Sequence, residues 1–335
     1  MPTLKSFAGV VLLMSMLWSL KFFYQQFDVP VRTLPYRGPL TVLIWDWPFH
    51  HVLNLSGDVC ASLYHIQSCR LTGNRSLYSQ ADVVVFHHWE LQEGMASLSS
   101  ETKPPGQNWV WVTMESPTNT KALASWNQIF NWVMTYKQDS DIFIPYGELV
   151  PHLSASMEIP PKSGLVSWVI SNYHQAQKRA KVYQELAKHL KVDVYGKASK
   201  KPLCPDCLLS TISRYKFYLA FENSVHQDYI TEKLWRNALL AGTVPIVLGP
   251  PRANYEQFIP ASSFIHVEDF GSMKELASFL RTMNSSCYQN FFNWRERYRV
   301  KLSTDWRERF CTICAQYSSL PQGKLYSDLE SWFRT

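Results

Sequence analysis

Phe217 to Gly249 reads FYLAFENSVHQDYITEKLWRNALLAGTVPIVLG, and the fold class follows from how this stretch divides. Phe217 to Phe221 is short, apolar and aromatic, the pattern of a buried strand, and it breaks at Glu222-Asn223-Ser224 into a polar loop. A helix is predicted next, with Asp228 as its N-cap, Ile230, Leu234, Trp235, Ala238 and Ala241 near one face, and Gly242 at its carboxyl end. Val244 to Leu248 is the following strand, closed by Gly249-Pro250-Pro251. Strand, loop, helix and strand in this order form a unit of a parallel α/β sheet, which binds ligands beyond the carboxyl ends of its strands. Glu222, Asn223, Tyr229, Glu232 and Lys233 crowd that position. Free N–H groups at a helix start favour a phosphate, Lys233 adds a mobile charge, and a carboxylate beside it suits a ribose diol. A solvated Glu–Lys pair on an ordinary first turn is the competing reading.

The chain has 335 residues, enough for two domains with full cores. Hydrophobic residues make up 46% and charged residues 18%, which excludes a disordered chain. A net charge of +6 favours anionic partners without choosing among them, and no dense Lys/Arg run of the nucleic-acid kind is present. Residues 7–24 are apolar apart from Lys21, nearly the ~20 residues of a membrane helix. No small-residue cleavage pattern follows, so an uncleaved anchor is favoured over a signal peptide. The expected divisions are a tail at 1–6, the anchor at 7–24, a proline-bearing stem at 25–39, lobes at 40–160 and 161–320, and a terminal segment at 321–335.

In the first lobe, Leu40 to Ile44, Ala81 to Phe86 and Val110 to Thr113 read as buried strands. Each ends in a polar or aromatic cluster: Trp45 to Phe49, His87 to Glu90, and Met114 to Pro117. His87 and His88 are neighbours on an extended segment and point to opposite sides, so a shared metal ion is disfavoured. Trp45, Trp47 and Trp89 suit either a core or the apolar face of a sugar. Glu115 is either a carboxylate aimed into a cleft or a helix-start cap before Pro117. In the second lobe, Val166 to Ser171 leads to Asn172, Gln175 to Leu190 has helical periodicity and carries Arg179, and Val192 to Tyr195 is a further strand. Gln289 to Phe310 reads as a long basic, aromatic helix crossing back to the first lobe, with Trp294, Tyr298 and Trp306 as packing residues.

Cysteine spacing groups Cys60 with Cys69, Cys204 with Cys207 and Cys311 with Cys314, leaving Cys287. The two C-x-x-C pairs are too far apart for a zinc ribbon, so local disulfides in an oxidising compartment are favoured over metal. Asn54, Asn74 and Asn284 head N-glycosylation sequons.

The run FENSVHQDYITEKLWRNALLAGTVPIVLG resembles the donor-binding signature of the α-1,3-fucosyltransferases. WDWPF, the Asn74 sequon, VVVFHHWELQ, WVWVTMESPTNT, FNWVMTYKQDSDIFIPYG and TDWRERFCTIC extend the likeness from about residue 41 to the C-terminus. Among the family it is most like the leukocyte-type members that form sialyl Lewis X.

The resemblance implies a GT-B fold, two Rossmann-like lobes about a cleft, in a single-pass Golgi enzyme with a lumenal body. It implies GDP-fucose as donor, (sialyl) N-acetyllactosamine as acceptor, no tightly bound cofactor and no nucleic-acid partner. Glu115 becomes the general base, because MESP matches the family's base motif. Asn172, Arg179, Tyr195, Glu222, Asn223, Tyr229, Glu232 and Lys233 become the donor set, with Arg179 on the pyrophosphate, and Trp47, His88, Trp89 and Glu90 become the acceptor-side set. It also implies the same three local disulfides. Asn74 and Asn284 match family sequons and Asn54 does not. At the position of Trp89 the leukocyte-type members carry arginine, and members that also accept type 1 chains carry tryptophan, which leaves the acceptor class open. No D-x-D triplet is placed to hold a metal, since Asp139-Ser140-Asp141 precedes an apolar run. Rival readings are an α-1,3/4-fucosyltransferase on type 1 chains, a transferase of another nucleotide sugar, and a membrane-tethered glycan-binding protein with a vestigial nucleotide site.

Overall fold

The computed structural model describes residues 38–93, 102–152, 159–204 and 206–335. The expected tail, anchor and most of the stem lie outside these residues. Among the described residues, no helix is long and apolar enough to cross a membrane.

Six strands form the first sheet: β1 (Leu40–Ile44), β2 (Cys69–Thr72), β3 (Val83–His87), β4 (Asn108–Val112), β5 (Trp132–Thr135) and β6 (Ile142–Phe143). All run parallel in the order β2-β1-β3-β4-β5-β6. β7 (Gly147–Pro151) then leaves this sheet. The second sheet comprises β8 (Gly164–Val169), β9 (Asp193–Tyr195), β10 (Tyr215–Phe221), β11 (Val244–Leu248) and β12 (Ile265–His266), again parallel, in the order β12-β11-β10-β8-β9. Strands covered on both faces need continuous apolar runs, and VVVFH in β3 and VPIVL in β11 are buried at every residue. In each sheet the chain steps outward once and then returns to the far side of its starting strand. The resulting switch points lie between β1 and β3 and between β8 and β10, where open α/β sheets bind ligands.

The predicted helix at Gln289 to Phe310 is not one element. A short helix, Ser285–Asn290, is followed by β13 (Tyr298–Leu302), antiparallel to β7, and then by the helix Trp306–Gln316. Tyr298, Val300 and Leu302 are partly buried while Arg299 and Lys301 are exposed, a period of two within a stretch read as helical. Phe310, Cys311, Ile313, Leu320, Leu329 and Phe333 pack into the same core as Ile44, Phe86 and Trp111. The chain has therefore returned to the first sheet before residue 320.

Two expected disulfides are corrected. Cys60 bonds to Cys311 and Cys69 to Cys314, while Cys204–Cys207 is local as expected; Cys287 is free and exposed. Cys311 and Cys314, one turn apart on their helix, face Cys60 and Cys69 on adjoining elements, so each finds its nearest partner across the packing interface rather than along the chain. The Cys69 bond fastens the returning helix to β2 of the first sheet, and the Cys60 bond fastens it to the short helix Val59–Tyr64 that precedes β2.

The helix expected from Asp228 also begins later. Asp228 has φ of 60°, and its carboxylate accepts hydrogen bonds from the Gln138 N–H (2.9 Å) and Asn254 Nδ2 (2.7 Å). Thr231 is the N-cap of the helix Glu232–Leu234, which continues as a π-helix over Trp235–Leu240.

Candidate active site

The carboxyl ends of β8, β9 and β10 deliver Asn172, Gly196 and Asn223 around a cavity of about 630 Å³. That is a common size for a pocket holding a small organic ligand. Gly196 has φ of +100°, and a Cβ there would lie 2.3 Å from the Ile170 carbonyl oxygen, so only glycine fits. Arg179, Lys197, Lys233 and Arg236 line the cavity. Arg179 is held by the Asn172 carbonyl through Nη2 and by Gln177 Oε1 through Nε at 2.9 Å. This leaves Nη1 with no hydrogen bond among the described residues. Burial lowers its pKa from the ordinary arginine value.

Lys233 is clamped rather than mobile. Its Nζ lies 3.0 Å from Glu222 and 3.3 Å from Glu232 and donates to Thr231 Oγ1 at 2.7 Å. Thr231 donates its N–H to Glu222 Oε1 at 2.8 Å and its hydroxyl to the same carboxylate. Burial pushes the Glu222 carboxyl up and the Lys233 ammonium down; at the lysine, two carboxylates outweigh burial and its pKa is raised. The pair is ionised, because Glu222 has hydrogen-bond donors at both oxygens and a full cation beside it. Burial also pushes Glu232 up, but Lys233 more than offsets this and holds its carboxyl below the ordinary value.

Glu115 lies just past β4, half-buried. Its N–H donates to Thr113 Oγ1 at 3.2 Å, and Asn119 Nδ2 donates to its Oε2 at 3.1 Å. The next residues bridge to the donor-side loop: Ser224 Oγ donates to Ser116 Oγ at 2.6 Å, and Thr118 Oγ1 lies 2.7 Å from His226 Nε2. Tyr146 donates to the Met114 carbonyl. The loop carrying Glu115 is thus fixed against the loop carrying Asn223.

A second cavity of about 260 Å³ opens at the switch point of the first sheet, lined by Phe49, His88, Trp89, Asn119, Trp306 and Arg309 among others. Glu115, Tyr146 and Glu232 line both cavities. Trp89 is 51% exposed. His88 is buried, with Nδ1 accepting from Trp111 Nε1 at 3.1 Å and Nε2 against the Gln92 amide, and burial lowers its pKa to about 4. His87 contacts the buried Glu90 carboxylate.

Of the expected donor residues, Asn172, Arg179, Asn223, Tyr229, Glu232 and Lys233 line the larger cavity. Glu222 does not: it is buried behind Thr231 and Lys233 and positions them. Tyr195 is turned toward Tyr215, hydroxyl to hydroxyl at 2.7 Å. Of the acceptor-side residues, His88 and Trp89 line the smaller cavity, whereas Trp47 packs edge-on to Phe310 and Glu90 is spent on His87. Sequence reasoning did not place Phe49, Tyr146, Arg236 or Arg309 at the site and read Trp306 as packing. Asp141 of the D-x-D triplet accepts from the Val133 N–H, Lys324 and Tyr326, a structural role.

Residues 159–332 match the family model for glycosyltransferase family 10 (fucosyltransferase), C-terminal part, and residues 37–147 match the fucosyltransferase N-terminal model. The chain belongs to glycosyltransferase family 10, the fucosyltransferases. Within that family it is an enzyme of the α-1,3 class, similar to the leukocyte-type members. α-(1,3)-Fucosyltransferase 7 of Rattus norvegicus is 56% identical over 91% of this chain and 84% of its own length. The Homo sapiens protein of that name is 53% identical over 98% of this chain and 94% of its own length. A crystal structure of an α1,3-fucosyltransferase with GDP-fucose superimposes with a TM-score of 0.54 at 16% identity, covering 89% of this chain and 95% of that one. This last likeness bears on the fold, a GT-B-like pair of parallel sheets.

Proposed function

We propose that the enzyme moves L-fucose from GDP-β-L-fucose to the 3-hydroxyl of N-acetylglucosamine in sialylated or neutral N-acetyllactosamine, with inversion. One observation carries this reading: Glu115 faces both cavities, with a cation-lined space on one side and an aromatic-walled space on the other. The donor would occupy the larger cavity and the acceptor sugar the smaller, meeting at Glu115. Glu115 takes the proton from the acceptor hydroxyl as its oxygen bonds to fucose C1 and the C1–phosphate bond breaks. A single displacement converts β to α without an enzyme nucleophile. Arg179 and Lys233 stabilise the negative charge that gathers on the departing GDP. Lys233, held charged by the carboxylates of Glu222 and Glu232, is a fixed cation that needs no rearrangement during the reaction. Asn172, Asn223 and Tyr229 fit the remaining donor contacts.

Trp89 supports a second reading of the acceptor. Its exposed ring at the smaller cavity suits stacking on a sugar, and tryptophan there fits α-1,3/4 transfer to type 1 chains. The proposed setting is the Golgi membrane, single-pass through residues 7–24, with the catalytic body lumenal. Asn54, Asn74 and Asn284 are exposed, as N-glycosylation acceptors must be. The deciding experiment measures GDP release from GDP-fucose with sialylated and neutral type 1 and type 2 acceptors, with a UDP-sugar as control. GDP release dependent on a type 2 acceptor is expected; UDP release from the UDP-sugar without GDP release from GDP-fucose, or binding without turnover, would refute the reading.

A further inference from the structure

Arg309 sits in the first turns of the helix Trp306–Gln316 and is only 7% exposed. Its guanidinium lies over the Trp306 ring, 4.6 Å from the centroid, and its Nη2 donates to the Ser303 carbonyl, while Nε has no hydrogen-bond partner. Among the described residues it forms no ion pair with a carboxylate. The nearby acids are occupied: Asp305 pairs with Arg307 at 2.7 Å and accepts from Tyr64 at 2.6 Å, and Glu308 pairs with Lys301 at 2.9 Å. Burial brings the Arg309 pKa down to about 10, so it stays charged at neutral pH. A buried charge without a partner is costly and is kept where something else completes it. Arg309 lines the smaller cavity together with Glu115 and Trp89.

We propose that Arg309 is the specificity residue that reads an anionic substituent, a carboxylate or a sulfate ester, on the acceptor glycan. A planar fork stacked on an indole presents its remaining N–H groups in a fixed direction, the arrangement that matches two oxygens of one anion. A neutral acceptor leaves that cation unpaired, so the cavity discriminates in favour of acidic glycans. This inference rests on the smaller cavity being the acceptor site.

The test compares the full chain with Arg309→Gln and Arg309→Lys, using α2,3-sialylated, 6-sulfated and neutral N-acetyllactosamine. Arg309→Gln is expected to lower the acidic-to-neutral ratio of kcat/KM by roughly 10- to 100-fold, as for one charge-assisted hydrogen bond, through acceptor KM and without change in the KM for GDP-fucose. Arg309→Lys keeps the charge without the fork and should fall between the two. A drop confined to the sialylated acceptor assigns the carboxylate, one confined to the sulfated acceptor assigns the sulfate ester, and a drop in both assigns an anion reader for either. An unchanged ratio would overturn the proposal. Should Arg309→Gln fail to fold, α2,3-sialyllactose must inhibit the native enzyme at lower concentration than lactose, and equal potency would overturn the proposal as well. Absence of GDP release with every acceptor would overturn the transfer reading and this inference with it, whereas transfer with an unchanged ratio overturns this inference alone.

Discussion

Replacing Glu115 with glutamine isolates the proton acceptor from the rest of the site. The side chain is half-buried, and its one hydrogen-bond partner among the described residues is Asn119, at 3.1 Å from Oε2. Glutamine is isosteric and can still accept from that amide, so folding stability should change by less than about 1 kcal/mol. Arg179 and Lys233 make no hydrogen bond to Glu115 among those described, so the Kd for GDP should stay within about twofold. An amide cannot take the acceptor proton. Loss of a positioned general base lowers kcat by about 10²- to 10⁴-fold, which is roughly 3–5 kcal/mol of barrier. The assay is GDP release under saturating donor and acceptor, paired with calorimetric titration of GDP. Turnover within about tenfold of native, with GDP binding intact, would remove Glu115 as the base and shift attention to Glu232, the other carboxylate that faces both cavities.

Lys233→Met should destabilise the chain by about 3–5 kcal/mol, because Glu222, whose side chain is 1% exposed, loses its counter-charge. Adding Glu222→Gln should restore the thermal midpoint while GDP affinity stays low, and a double variant with native GDP affinity would contradict the role given to Lys233. His88 is held neutral in the fold with a pKa of about 4, against about 6.5 unfolded, so its contribution is full above pH 6.5 and is lost as pH falls toward 4. His88→Asn should therefore lose about 2–3 kcal/mol less stability than native between pH 7.5 and 4.5, and parallel pH curves would refute this. Peptide mapping without reduction should recover Cys60 joined to Cys311 and Cys69 joined to Cys314; Cys60–Cys69 and Cys311–Cys314 peptides would contradict the structure.

Strands β1, β3, β4, β8, β10 and β11 were legible as apolar runs closed by polar clusters, and β11 matches its reading residue for residue, whereas β2, β5, β6, β7 and β12 were not read as strands. Asn172 and Asn223 were legible because loops at carboxyl strand ends carry the chemistry in such sheets, whereas Glu115 stood open between a cleft carboxylate and a cap until the family resemblance singled it out. Arg309 was not: an arginine in a basic helix reads as solvated, and only the return of the chain to the first core buries it. Asp228 looked like a helix cap, a role decided by which groups reach its carboxylate, and Gln138 and Asn254 come from elsewhere in the chain. Disulfide partners 251 and 245 residues apart carry no local signal at all. β13 was hidden because its alternation spans five residues inside a longer run of arginines and aromatics.

The most direct measurement is a structure of the full chain with GDP and an acceptor glycan bound together. The acceptor's N-acetylglucosamine 3-hydroxyl should lie within hydrogen-bond reach of Glu115, about 2.6–3.2 Å, with the diphosphate against Arg179 and Lys233. A hydroxyl placed away from Glu115, or a diphosphate seated outside the cavity that Arg179 and Lys233 line, would contradict the account.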